Sequence, residues 1–225
     1  MKQLIKQIFK ESLKFILIEN MMMDEDYPTS FDMTHFKKLS KFAERVRYCE
    51  EHLKKISSGS SRIVYMIDNI KVLKLAKNKK GLAQNEIEAG YSKYSDLSDV
   101  VAQTFDYNEN NLWVEMELAR AVRKPDFKRI TGYSFEDYCA AIHNYGNDVN
   151  YSKHNHNITI DKDIIASMWE NEFVYGIFEY IGNYGIPVGD LKRLSSYGIV
   201  KRNGQDTIVL IDFGLTNDVY DSYYK

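Results

Sequence analysis

The chain of 225 residues carries 30 lysines and arginines against 32 aspartates and glutamates, with 44% hydrophobic and 28% charged residues. That length buries a core without a metal or disulfide staple, and the near balance of charge excludes a global field that would draw nucleic acid or anionic lipid. The two cysteines, Cys49 and Cys139, stand far apart with no C-x-x-C spacing, which argues against a zinc or redox motif and suits a reducing, cytoplasmic setting.

Residues 1–20 place Leu4, Ile5, Ile8, Phe9, Leu13, Ile16 and Leu17 at helical spacing. Lys10, Glu11, Lys14 and Glu19 interrupt any spanning stretch, and no small-residue cleavage site follows. An amphipathic helix is expected, packed against the body of the protein or a protein partner, with a membrane surface as the alternative and no transmembrane segment. An acidic turn at Asp24–Pro28 leads into a second helical stretch over 32–54, with Phe36, Leu39, Phe42, Val46 and Leu53 on one side. Residues 1–52 thus read as a helical extension.

The pattern then changes. Ser57–Ser61 is a run of small residues, followed by two β-strands, Ile63–Ile67 and Lys71–Ala76, around an Asp68-Asn69 turn. Residues 79–95 resume helical character, and Val100–Tyr107 with Leu112–Leu118 make a second hairpin. From about 134 the chain is mostly helical, with one helix over 134–145, a polar Asn-rich loop over 146–160, and a long helix over 161–183. A late hairpin, Tyr197–Lys201 and Thr207–Ile211, turns at Asn203-Gly204. The expected architecture is α+β, with a small β-rich part over 53–119, a reduced, mostly helical part over 120–225, and a cleft between them.

Two aspartates stand out. Asp190 lies in Gly189-Asp190-Leu191-Lys192 after the long helix, and Asp212 ends the last strand in Asp212-Phe213-Gly214. Together with Lys74, flanked by apolar Val72, Leu73, Leu75 and Ala76, and with the small-residue run at Gly59, these motifs resemble the protein-kinase-like superfamily, in order from about residue 53 to 216. The resemblance implies a two-lobed kinase-like fold that binds ATP and Mg²⁺. In it Gly59 and Ser60 cover the phosphates, Lys74 holds them, and a glutamate of the next helix orients Lys74. Glu86 is preferred for that role, with Glu88 the alternative. The stretch Met116, Glu117 and Leu118 would form the hinge beside the adenine. Asp190 would orient or deprotonate the acceptor, Lys192 would steady the transferred phosphate, and Asp212 would hold the metal.

Departures accompany the resemblance. Val188 and Gly189 stand where the family has histidine and arginine before the catalytic aspartate. Ser195, followed by Ser196, replaces the asparagine that helps hold magnesium, so Ser195, with its neighbour Ser196 as the alternative, is the expected second metal ligand. Eleven residues follow Gly214, too few for an activation segment and the usual peptide platform. A chain this small is what compact viral or mobile-element genomes encode, which would place it in a host cytoplasm. Three functions follow as expectations: a kinase-like phosphotransferase acting on a protein hydroxyl or a small molecule; a pseudokinase-like nucleotide-binding or protein-interaction module; and nucleotidyl transfer from the same site. His154 and His156 lie in a polar loop with no cysteine or carboxylate at ligand spacing, which argues against a metal site there. The 17 tyrosines, without a basic stripe, point to packing rather than base stacking.

Overall fold

The computed structural model describes residues 31–91, 99–149 and 156–223. The expected helix at 1–20, the turn at 24–28 and His154 lie outside the described residues. The described chain opens with two short helices, α1 (Met33–Lys38) and α2 (Phe42–His52). A single helix was expected over 32–54. It is divided because the α1 end bonds Leu39 N–H to Phe36 O, and α2 starts afresh at Lys41, whose N–H donates to the Glu44 carboxylate and whose carbonyl accepts from Arg45 N–H.

A five-stranded antiparallel sheet follows, in the order β1-β2-β3-β5-β4. Its strands are β1 (Lys54–Ser58), β2 (Arg62–Met66), β3 (Lys71–Ala76), β4 (Thr104–Tyr107) and β5 (Trp113–Glu117), with helix α3 (Lys79–Tyr91) between β3 and β4. Strand β1 was not expected, since all five of its residues are exposed and show no apolar alternation. The two faces of the sheet serve different cores. Ile63, Tyr65, Leu73, Leu75 and Trp113 face α1 and α2, where Phe36, Cys49 and Leu53 close an outer core. Val72, Val114 and Met116 face the main core shared with the helical part. Helices α1 and α2 therefore cover the sheet's outer face. Phe42, expected on the buried side, is 41% exposed; with Ala43 and Val46 it lines a shallow groove of about 450 Å³ on α2, away from the two aspartates.

Beyond β5 the short strand β6 (Arg120–Ala121) joins a three-stranded sheet with β7 (Tyr197–Arg202) and β8 (Gln205–Leu210). The β7–β8 turn has Asn203 at φ 52° and Gly204 at φ 79°, the left-handed pair that a two-residue hairpin of native twist requires. The helices are α4 (Lys124–Thr131), α5 (Phe135–Val149), α6 (Lys162–Trp169), α7 (Glu172–Tyr184), α8 (Val188–Leu191) and α9 (Asn217–Tyr223). The long helix expected over 161–183 is two helices, because Asn171 accepts from Val174 N–H and starts α7 afresh. The Asn171 amide also donates to Thr131 O at 3.2 Å, fixing the break against α4. No helix among the described residues is long and apolar enough to cross a membrane.

Two ties join the sheet to the helical part. Residues 100–102 bridge β8 through Ala102 N–H to Leu210 O and Leu210 N–H to Val100 O. Arg202 on β7 donates twice to the Glu117 carboxylate at the end of β5, at 2.8 and 2.7 Å. A neighbouring cluster on β8 sets a pH response. Hydrogen bonds from Arg129 and Lys201 hold the Asp206 carboxyl down to about 2, with Arg120 adding a third cation. An unfolded aspartate titrates near 3.9, so this pairing stabilises the fold above that pH and is lost as pH falls through the folded value. Thermal melts should show Asp206→Asn less stable than wild type at pH 7, with the difference closing between about pH 4 and pH 2.

Candidate active site

Strand β3, helix α3 and the end of β8 converge on one buried polar cluster. The Lys74 side chain emerges on the inner face of β3 opposite Val64 and Val114. Its ammonium lies 3.0 Å from both Glu88 oxygens and donates to the Ile211 carbonyl at 2.6 Å, one residue before Asp212. Burial draws the ammonium below the usual lysine value; Glu88 opposes that effect and Arg62 adds to it.

The partner of Lys74 is therefore Glu88, and the expectation of Glu86 is corrected: Glu86 is exposed. The reason is helix phase. The buried residues of α3 are Gly81, Gln84, Asn85, Glu88 and Ala89, spaced i, i+3, i+4, i+7 and i+8. Glu86 falls on the opposite side.

Arg62, which the sequence reading did not single out, completes the cluster. It opens β2 on the same face as Val64, and Val64 pairs with Lys74. Its guanidinium donates from Nη1 to Glu88 Oε2 at 2.6 Å and from Nη2 to Asp212 Oδ1 at 2.5 Å. Period-two alternation from Lys74 across the hairpin was the signal that could have found it. Asp212 itself is open to solvent over 61% of its side chain. Desolvation of its inner side disfavours its charge, but Arg62 and Lys74 prevail and hold its carboxyl below the usual value.

Asp190 sits on α8, beside the Arg193 guanidinium at 3.3 Å. A single residue couples the two aspartates: Ser196 Oγ donates to Asp190 O at 2.7 Å, and Ser196 O accepts from Ile211 N–H at 2.8 Å. Buried tyrosines brace the same backbone. Tyr197 donates to Leu191 O at 2.7 Å and contacts the Tyr138 hydroxyl at 2.7 Å, while Tyr180 donates to Phe213 O at 2.9 Å. The hydroxyls of these three tyrosines serve the site as well as the core.

Other expected positions are placed differently. Ser195 is exposed on the 3₁₀ turn Leu194–Ser196, and its neighbour Ser196 is the inward residue. Lys192 lies beside α5, its ammonium 3.3 Å from His143 Nδ1. In the hinge stretch Met116 is fully buried in the main core. The Glu117 and Leu118 amides are spent on Gln103 O and Ile70 O, the residues just before β4 and β3. A base edge at this stretch would have to use its carbonyls or the Ala119 amide. The loop over 59–61 is tied down: Gly59 N–H meets Arg62 O at 2.9 Å, while Lys77 and Asn78 side chains hold the Gly59 and Ser60 carbonyls at 2.9 Å.

Gly214 marks a close approach and Gly59 does not. A Cβ at Gly214 would lie 2.5 Å from the Gln84 carbonyl oxygen, whereas one at Gly59 would meet nothing within 4 Å. Gly214→Ala must push α3 from the Asp212-Phe213-Gly214 turn and should cost about 1–3 kcal/mol. Gly59→Ala should stay within about 0.5 kcal/mol in the same denaturant melts.

Magnesium takes oxygen ligands and usually binds through one or two carboxylates together with substrate phosphates. Here Asp212 offers a carboxylate already touched by Arg62, and Ser196 Oγ is engaged by Asp190 O. No cluster of three or more acidic, histidine or cysteine groups that could hold a metal occurs among the described residues. The donor set fits a metal carried in by phosphates, not one held by the protein alone.

No protein-family model matches the sequence, and no curated protein matches it. Solved aminoglycoside phosphotransferases, of the protein-kinase-like superfamily, are similar in structure at low identity. The streptomycin–ATP ternary complex of APH(2")-IIa is 14% identical with a TM-score of 0.37, covering 78% of this chain and 71% of that one. The ADP-bound APH(2'')-Ib is 15% identical with a TM-score of 0.32 over the same shares. The GDP complex of aminoglycoside 2'-phosphotransferase-IIIa is 10% identical with a TM-score of 0.37, covering 81% and 70%. Likeness at this level concerns the path of the chain; the chemistry is decided by the residues of the site.

Proposed function

We propose that the protein is an ATP- and Mg²⁺-dependent phosphotransferase acting on a hydroxyl of a protein or a small molecule. The observation that carries this reading is the Lys74–Glu88 pair clamped onto the Ile211 carbonyl, which sets a buried cation beside Asp212. A buried ion pair is a poor stabiliser by itself, so a binding role explains its presence better than a structural one. Lys74 binds phosphate oxygens. Glu88 fixes the ammonium, and Asp190 accepts the proton of the attacking hydroxyl. Lys192 offsets charge on the acceptor side. Asp212 would hold the magnesium that accompanies the nucleotide, which would supply neutralisation of the phosphate charge.

Incubation with γ-labelled and α-labelled ATP tests this. Transfer of the γ label to a hydroxyl acceptor is expected; transfer of the α label would make the protein a nucleotidyltransferase. A second reading, nucleotide binding without transfer, is favoured by one observation: the Arg62 guanidinium occupies an oxygen of Asp212. It would be upheld by a nucleotide-dependent thermal shift with no label transferred to any acceptor, protein or small molecule.

A further inference from the structure

Arg62 is the one member of the buried cluster to which the proposed chemistry gives no task. It follows the 59–61 loop directly and is anchored to Glu88 through one nitrogen while the other reaches Asp212. Only 8% of its side chain is exposed, against 61% for Asp212. The cluster pairs two cations, Arg62 and Lys74, with two carboxylates, Glu88 and Asp212. It is balanced as it stands. A divalent cation arriving alone would meet both cations and a carboxylate already half engaged, whereas a polyphosphate brings anionic oxygens that match a guanidinium fork.

We propose that Arg62 is a phosphate-operated latch on the metal site. Without nucleotide it occupies Asp212. Nucleotide phosphates draw its outer nitrogen away, so Asp212 is released to the metal that accompanies them. Glu88 keeps hold of the other nitrogen, so the motion is a swing of the side chain's end rather than an unfolding of β2. The latch rests on the nucleotide reading above, and it makes metal binding conditional on phosphate.

The test is a titration with Mn²⁺ alone, read by electron paramagnetic resonance on the nucleotide-free full chain. Arg62→Met should bind free Mn²⁺ about tenfold or more tighter than wild type, and Asp212→Asn added to it should abolish the gain. Arg62→Lys keeps the charge but is too short to reach both carboxylates, so it should show a smaller gain. Lys74 still neutralises Glu88 in these variants, and circular dichroism checks the fold. In a second arm, metal-free ATP should bind Arg62→Met about tenfold more weakly than wild type. Equal Mn²⁺ affinity in wild type, Arg62→Met and Arg62→Lys would overturn the latch, as would ATP binding that ignores Arg62. Wild-type protein that takes no ATP, whether metal-free or with Mg²⁺, would instead defeat the nucleotide reading on which the latch depends.

Discussion

Glu88→Ala is expected to lose about 3–5 kcal/mol of folding stability, a fall of about 6–20 °C in the melting temperature for a domain of this size. Glu88 is fully buried and is shared by Lys74 and Arg62. Removing it leaves two buried cations beside each other with no carboxylate between them. Lys74→Met should cost less, because Arg62 still neutralises Glu88 at 2.6 Å and the main loss is the hydrogen bond to Ile211 O. Glu86→Ala, on the exposed side of the same helix, should stay within about 0.5 kcal/mol. Denaturant or thermal melts of the three variants decide the matter. A Glu86 variant as damaged as the Glu88 variant would refute the assigned ion pair.

Asp212→Asn and Asp190→Asn should each abolish most transfer, but with different signatures. Asp212→Asn should lower kcat by about 10²–10³-fold, the usual cost of removing one electrostatic stabiliser of a transition state. It should also remove the gain in nucleotide affinity that Mg²⁺ provides. Its fold should be nearly unaffected, since the side chain is mostly open to solvent and Arg62 retains Glu88. Asp190→Asn should lower kcat by about 10²–10⁴-fold while leaving nucleotide affinity near wild type, because the role proposed for Asp190 is on the acceptor. Steady-state kinetics and ATP titrations with and without Mg²⁺ separate the two. An Asp190→Asn variant that loses nucleotide instead would exchange the assigned roles.

Much of the β structure was legible because it follows period two and local turn chemistry. The Lys71–Ala76 strand and the Asn203-Gly204 hairpin are where apolar alternation and left-handed turn residues put them. Helix α3 was legible as a helix but not in phase, since its buried stripe is Gly81, Gln84, Asn85, Glu88 and Ala89. A face that is buried for polar reasons carries no apolar period, and the choice between Glu86 and Glu88 could not be read from it. Arg62 was missed for a related reason: a strand-initial arginine looks like an exposed charge until the sheet register shows it on the face of Lys74. The role of Ser196 depends on a 3₁₀ turn that sends it inward and Ser195 outward, which spacing alone does not specify. Asp190 and Asp212, by contrast, stand out in the sequence itself, because one follows a helical stretch and the other ends a strand, patterns that local sequence determines.

The central claim is that Lys74, Glu88 and Asp212 form a nucleotide–magnesium site. Calorimetric titration of the full chain with ATP, with and without Mg²⁺, tests it most directly. The expected result is saturable binding in wild type that Mg²⁺ strengthens, an unstrengthened remainder in Asp212→Asn, and severe weakening in Lys74→Met. Absence of binding by wild type to any adenine or guanine nucleotide, with or without Mg²⁺, would contradict the claim.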